Sequence, residues 1–258
     1  MSQFQVFAVA AVLLFFGMLA AMEVGYRLGR RHAGLQGSDA RAGLAASEAA
    51  VFGLLGLLLA FTFGGAASRR EDRRRLIADE ANAIGTAWLR LDLLAPPGRE
   101  VLRADFRRYL DTRLAAYAAV PDLRRARTEL DSASRLQGVI WTRALAACRA
   151  EEQAPPCLLL LPALNAMIDV TGLREMVLMS HPPEVVFWML FLLALLSALL
   201  AGFGMPSAKG RSLLHMVVFA AMTSVVIYVV IDLEYPRLGL IRIDSADQML
   251  VELRRKMG

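Results

Sequence analysis

The stretch AAVFGLLGLLLAFTFGGAA, residues 49–67, runs without a break into SRREDRRRLIADEANAIGTAWLRLDLL, residues 68–94. The first half holds no charge and is long enough, at helical rise, to cross a hydrocarbon core of roughly 30 Å. The second half opens on arginines and carries Leu76, Ile84, Trp88 and Leu91 at helical spacing, with no proline and only Gly85 to interrupt it. A helix of this kind can span a bilayer, project beyond it, line a pathway and carry a polar domain.

Working outward, hydrophobic residues make up 57% of the chain and the mean hydropathy is +0.47, too apolar for an ordinary soluble domain of this length. Charged residues still reach 21%, so polar and apolar material must be segregated. Windows 4–22, 49–67, 185–205 and 212–231 are nearly free of charge, each close to the roughly 20 residues a spanning helix needs. The first resembles a signal peptide in ending on Leu19-Ala20-Ala21. However, its basic residues Arg27, Arg30 and Arg31 follow the apolar run instead of preceding it, which predicts a retained span.

The expected fold is therefore an all-α membrane protein with four transmembrane helices and a helical soluble domain inserted between spans two and three. The boundaries are 1–67 for the first two spans and their loop, 68–184 for the soluble domain, 185–235 for spans three and four, and 236–258 for a tail with a short helix starting at Asp244. The glycines and polar residues of 25–46 read as a loop. Pro96-Pro97-Gly98 and Pro155-Pro156 read as breaks between central helices, and Gly202, Gly204 and Pro206 as a tight turn. Residues 157–179 are apolar at first but contain Asn165, Asp169 and Arg174, which fits a buried helix better than a fifth span.

Net charge is +5, carried mostly by arginine and read here as lipid-headgroup contact and topology. No recognition pattern points to nucleic acid. The face bearing the termini and the central domain has Arg69, Arg70, Arg73, Arg74, Arg75, Arg174, Arg237 and Arg242 near the membrane. The opposite face has Arg27, Arg30, Arg31, Arg41, Lys209 and Arg211. The positive-inside rule leans towards a cytoplasmic central domain and cytoplasmic termini, although the first span alone votes the other way. Cys148 and Cys157 are the only cysteines, and sequence leaves their pairing open.

The run FGLLGLLLAFTFGGAASRREDRRRLIADEANAIGTAWLRLDLL and the later IDLEYPRLGLIRID resemble the bestrophin-like family of bacterial membrane proteins, over residues 48–243. The resemblance implies the four-span arrangement with its large domain between spans two and three, in the bacterial inner membrane. True bestrophins, to which the similarity is more remote, are pentameric anion channels. The resemblance thus implies a homo-oligomer in the lipid bilayer, a pentamer on that pattern, with anions as the transported species. The spaced aromatics of the bestrophin neck are not matched; Leu54, Leu58 and Thr62 stand at helical spacing instead.

Candidate residues fall into four groups. Gly53, Gly56, Ala60 and Gly64 share one helical face of the second span and would let another helix approach closely. Val51, Leu54, Leu58 and Thr62 share the other face and read either as an apolar constriction or as lipid contact. Arg69, Arg70, Arg73, Arg74 and Arg75 read either as a ring that concentrates anions or as a headgroup collar. Glu80, Asn82, Arg90, Asn165, Asp169, Asp232 and Glu234 are polar residues expected in a buried network or a vestibule. His32, His181 and His215 stand at no ligand spacing, and neither a P-loop nor a nucleophile elbow is present. No metal, cofactor or enzymatic activity is expected. A non-conducting scaffold or sensor whose helical domain binds a partner is the competing reading.

Overall fold

The computed structural model describes residues 3–32, 38–120, 122–150, 155–205, 213–235, 237, 239–240 and 244–258. Among these there is no strand. The helices are α1 (Gln3–His32), α2 (Ser38–Arg90), α3 (Pro96–Ala118), α4 (Leu123–Ala150), α5 (Pro155–Met179), α6 (Glu184–Phe203), α7 (Leu213–Glu234) and α8 (Asp244–Lys256), with a 3-10 turn at Leu91–Leu93. Pro206, Lys209, Arg211 and Arg242 lie outside the described residues. The chain divides into two compact units, one of residues 1–69 and 181–235, the other of residues 70–180 and 236–258.

In the first unit, α1 packs along α6 and α7. Leu14, Met18 and Met22 of α1 are buried with Leu190, Ala194 and Ala198 of α6 and with Met216, Ala220 and Ile227 of α7. Glycine sets how close α1 and α6 come. A Cβ on Gly25 would fall inside contact distance of the Leu199 carbonyl, one on Gly29 would strike the Phe203 carbonyl, and one on Gly202 would strike the Met22 carbonyl. The loop expected over residues 25–46 is therefore helical in its described parts, because α1 continues to His32 and α2 already begins at Ser38. Gly25 and Gly29 serve backbone approach, which the sequence alone cannot tell from a turn. Gly204 does close α6 as its C-cap.

The apolar stretch of α2 joins this unit by one edge. Only Leu55 and Ala66 among residues 49–67 are buried, and Phe52 meets Phe219 of α7 edge-on with ring centroids 5.6 Å apart. Among the described residues, five helical stretches are long and apolar enough to cross a membrane, namely Gln5–Arg31, Ala42–Leu93, Pro156–Leu178, Glu184–Phe203 and Leu213–Glu234. The third of these is α5, for which the sequence favours a buried helix of the soluble domain.

In the second unit, Ile77 and Ile84 of the distal part of α2 and Leu91 of the 3-10 turn after it are buried against Leu102, Phe106 and Tyr109 of α3. From α5 come Leu160, Leu164 and Met167, and from α8 Leu250. Both tandem-proline pairs open helices as well as separating them. Pro96 and Pro97 occupy the first turn of α3, and Pro155 is the first residue of α5. A missing N–H costs nothing there, because first-turn donors have no helical acceptor. Asp122 caps α4 by accepting from the backbone N–H groups of Arg124 and Arg125 at 3.2 and 3.1 Å. Cys148 near the end of α4 and Cys157 at the start of α5 form a disulfide, with Cα atoms 5.6 Å apart.

These contacts give a contrast measurable by thermal unfolding in detergent. Gly202→Ala and Gly25→Ala force helix backbones apart and should each cost about 1–3 kcal/mol or more. Gly53→Ala and Gly56→Ala add a methyl where no atom lies within 4 Å and should leave the protomer unaffected. A Gly202→Ala protein as stable as the parent would contradict this packing.

Candidate functional site

In the second unit, α2 delivers Glu80 to a position with no solvent exposure. A carboxylate cannot stay ionised there unless cations replace its water. Two do so. Arg113 of α3 donates from Nε and Nη2 to Glu80 Oε1, each at 2.8 Å, and Arg174 of α5 donates to Glu80 Oε2. Both guanidinium groups are themselves buried and spend their remaining donors on Glu175 at 3.0 Å and Asp247 at 3.4 Å, respectively. Asp247 of α8 also takes a two-pronged pair from Arg237, at 2.8 and 3.0 Å.

Tyr117 lies at the centre of this cluster. Its ring stacks against Arg174, Arg237 and Arg113, with guanidinium carbons 4.2, 4.6 and 5.3 Å from the centroid. Its hydroxyl donates to Glu80 Oε2 at 3.4 Å. Burial, followed by the charge of Glu80, pushes the phenol well above its ordinary range and keeps it protonated as a donor. Beside it runs a neutral chain in which Gln137 donates to the Tyr109 hydroxyl at 3.0 Å, 3.2 Å from the Thr171 hydroxyl.

In the first unit, α7 ends on two buried carboxylates, Asp232 and Glu234. Arg69 holds Glu234 through Nε and Nη2, at 3.0 and 2.9 Å. His181 Nδ1 lies 3.5 Å from the same carboxylate and stacks on Tyr235 at 4.8 Å. Tyr228 donates to Asp232 at 3.2 Å.

The remaining arginines of the cluster after the second span have varied partners. Arg73 is buried and donates to the Ser180 carbonyl at 3.0 Å. Arg74 and Arg75 are exposed and sit 3.9 and 3.6 Å from Glu71. Arg70 is half-buried. Arg69 and Arg73 thus serve internal partners, a use that a count of positive charges does not reveal.

Of the polar residues singled out from sequence, Glu80 anchors one cluster and Asp232 with Glu234 another. Arg90 donates to the Leu159 carbonyl at 2.6 Å. Asn82, Asn165 and Asp169 do not join a buried network; all are exposed, because the buried side of α5 is the one carrying Leu160, Leu164, Thr171 and Arg174. Arg113, Tyr117, Arg237 and Asp247 were missed. Their spacing from Glu80 along the chain follows no local period, so only the folded structure brings them together.

On α2, Gly53, Gly56, Ala60 and Gly64 all face outward, and a Cβ on any of the three glycines would meet nothing within 4 Å. Of the bulky set, Leu54 is exposed, while Val51, Leu58 and Thr62 are half-buried. Leu58 packs on the core of the unit, and Thr62 Oγ1 donates back to the Leu58 carbonyl at 2.8 Å. The outward arc is therefore centred on the small residues and flanked by Leu54, Leu57 and Phe61, which are 55%, 53% and 71% exposed. Leu54 and Phe61 stand seven residues apart, two helical turns, and that spacing could have disclosed Phe61 from sequence.

The family model of the bestrophin-like domain matches residues 16–247. The chain belongs to the bestrophin-like family. No curated protein matches it. Two solved structures, both single-substitution variants of a bacterial bestrophin homologue from Klebsiella pneumoniae, share its fold at 14% identity. One has a TM-score of 0.69 and covers 97% of this chain and 96% of its own; the other has a TM-score of 0.68 and covers 96% and 97%. With its apolar helices, this bestrophin-like chain is a multi-pass membrane protein.

The Glu80 cluster is open to direct test. Glu80→Gln removes the one carboxylate that the two buried guanidinium groups share, leaving each with a single carboxylate partner, and should cost about 3 kcal/mol. Tyr117→Phe removes one hydrogen bond and should cost about 1 kcal/mol. Helix melting followed by circular dichroism reads both, and equal stability of Glu80→Gln and the parent would contradict the assigned role.

Proposed function

We propose that this protein is a homo-oligomeric anion channel of the bacterial inner membrane, with α2 nearest the symmetry axis. In this reading α1, α2, α6 and α7 span the bilayer, and residues 68–184 form the soluble helical domain. The observation that carries it is the uncovered arc of α2. A membrane helix that buries only Leu55 and Ala66 of its apolar stretch has its exposed arc free for other copies or for a water-filled path. Glycine and alanine along that arc favour close helix approach, and Leu54, Leu57 and Phe61 beside them are suited to an apolar constriction that gates by dewetting. Family membership supports the same reading, and five-fold assembly is the arrangement it suggests. With Arg69 and Arg73 engaged internally, Arg74 and Arg75 are the better candidates for attracting anions.

Purified protein in liposomes should pass chloride, and Phe61→Ala should raise the flux by widening the constriction. Absence of chloride flux together with a monomeric mass would sink the proposal. An intact oligomer that passes no chloride would instead favour the scaffold reading, which the internal pairing of Arg69 and Arg73 also suits.

We place the helical domain and both termini on the cytoplasmic side, following the arginine distribution. The Cys148–Cys157 disulfide weighs against this, since disulfides persist in oxidising compartments. Labelling reduced cysteines with a membrane-impermeant maleimide decides between the two. Reaction only after the cells are permeabilised supports the cytoplasmic placement, and reaction in intact spheroplasts reverses it.

A further inference from the structure

In the second unit, α2 turns one seam to the protomer and another away from it. Ile77, Glu80 and Ile84 are buried, while Asp72, Arg75, Asp79, Asn82, Thr86 and Leu89 are exposed. Leu93 of the following 3-10 turn continues the outward line, and Leu89 and Leu93 are 68% and 44% exposed. These residues stand alternately three and four apart, which keeps them on one side of the helix. From Asp72 onward the seam is first charged, then neutral and polar, then apolar.

The charges along it run minus, plus, minus. Asp72 and Asp79 have no hydrogen-bond or ion-pair partner among the described residues. Arg75 has Glu71 one turn back, with Nε 3.6 Å from Oε1 and the two side chains 70% and 44% exposed. A pair longer than a hydrogen bond and open to water contributes little and does not hold the guanidinium in place.

A ring of identical copies with α2 nearest the axis keeps the copies in register, because rotation about the axis moves no residue along it. Each seam residue then faces its own counterpart on the neighbour, together with the residues just above and below. A seam of one sign would repel itself in that arrangement. Here Asp72 and Asp79 of a neighbouring copy stand about 4.5 and 6 Å from the level of Arg75, at about 1.5 Å of rise per residue. Both are within the reach of an arginine side chain.

We propose that the distal half of α2 is a zipper between copies of this chain. Arg75 of one copy lies between Asp72 and Asp79 of the next, Asn82 and Thr86 hydrogen-bond across the same contact, and Leu89 with Leu93 seals its far end. Covering those two leucines also removes apolar surface from water. The zipper rests on the homo-oligomer reading and adds what joins the copies beyond the spanning segment. Arg74 then remains to attract anions.

Mass photometry of the full-length protein in detergent, followed down a dilution series, tests this. Arg75→Glu makes the seam wholly acidic and should raise the concentration at which the assembly dissociates about tenfold or more. The difference should shrink as salt is added. Combining Arg75→Glu with Asp72→Arg and Asp79→Arg restores the alternation with its signs reversed and should regain parental assembly. All three positions are exposed, so circular dichroism should show an unchanged fold. A parent oligomer untouched by Arg75→Glu overturns the zipper and leaves the seam to solvent, while the homo-oligomer reading stands. Assembly lost in Arg75→Glu and not regained in the reversed variant overturns it as well. A monomeric parent removes both readings.

Discussion

Hydrocarbon offers no hydrogen-bond partners, so each segment that crosses it must satisfy its backbone internally, and helices do this one segment at a time. With backbone polarity settled inside each helix, what remains to hold helices together is close packing. Here that packing is concentrated where α1 meets α6. Gly25, Gly29 and Gly202 bring backbone carbonyls to distances at which a single added carbon would collide. The same unit leaves the glycines of α2 open. Within one protomer, glycine therefore serves a contact already made in one place and leaves a face uncovered in another. The second use is what gives α2 its interest.

The other unit adds buried electrostatics to its apolar core. Burying Glu80 would be prohibitive alone, and Arg113 and Arg174 make it tolerable only because each is held in turn by Glu175 or Asp247. That chain of dependence draws α2, α3, α5 and α8 into one cluster around the Tyr117 ring. Such a cluster contributes less net stability than an apolar core of equal volume, but it penalises every arrangement in which one member is missing. It also ties the C-terminal helix to helices far away in sequence. Arg254 of α8 adds a two-pronged pair to Asp111 at 2.7 and 3.0 Å, and Arg107 of α3 donates to the Met257 carbonyl at 2.8 Å.

Much of this was legible in the chain. Charge-free windows of membrane length disclosed helices α1, α2, α6 and α7, and the unbroken pattern after residue 67 disclosed that α2 continues. Two quotable motifs disclosed the family. What escaped were features whose sequence signal has two physical meanings. Gly25 and Gly29 look the same in a turn and in a tight helix contact, and Pro155-Pro156 can end one helix or open the next. By sequence Val51, Leu58 and Thr62 suit an apolar constriction or lipid contact, yet they are half-buried in the protomer, because residues of low polarity serve a pore wall, a lipid face and a core alike. The partners of Glu80 escaped for a different reason, as pairs 33 and 94 residues apart leave no periodic trace. The cysteine pair was readable only as a possibility until α4 and α5 brought the thiols together.

What covers the face of α2 defined by Gly53, Gly56, Ala60 and Gly64 decides between a channel and a scaffold. The most direct test is a structure of the assembled protein in a lipid nanodisc. The expected result is a ring of copies in which this arc meets a neighbouring copy or a continuous central path, with Leu54, Leu57 and Phe61 at its narrowest part. An arc facing lipid in every copy, with no path through the assembly, would contradict it.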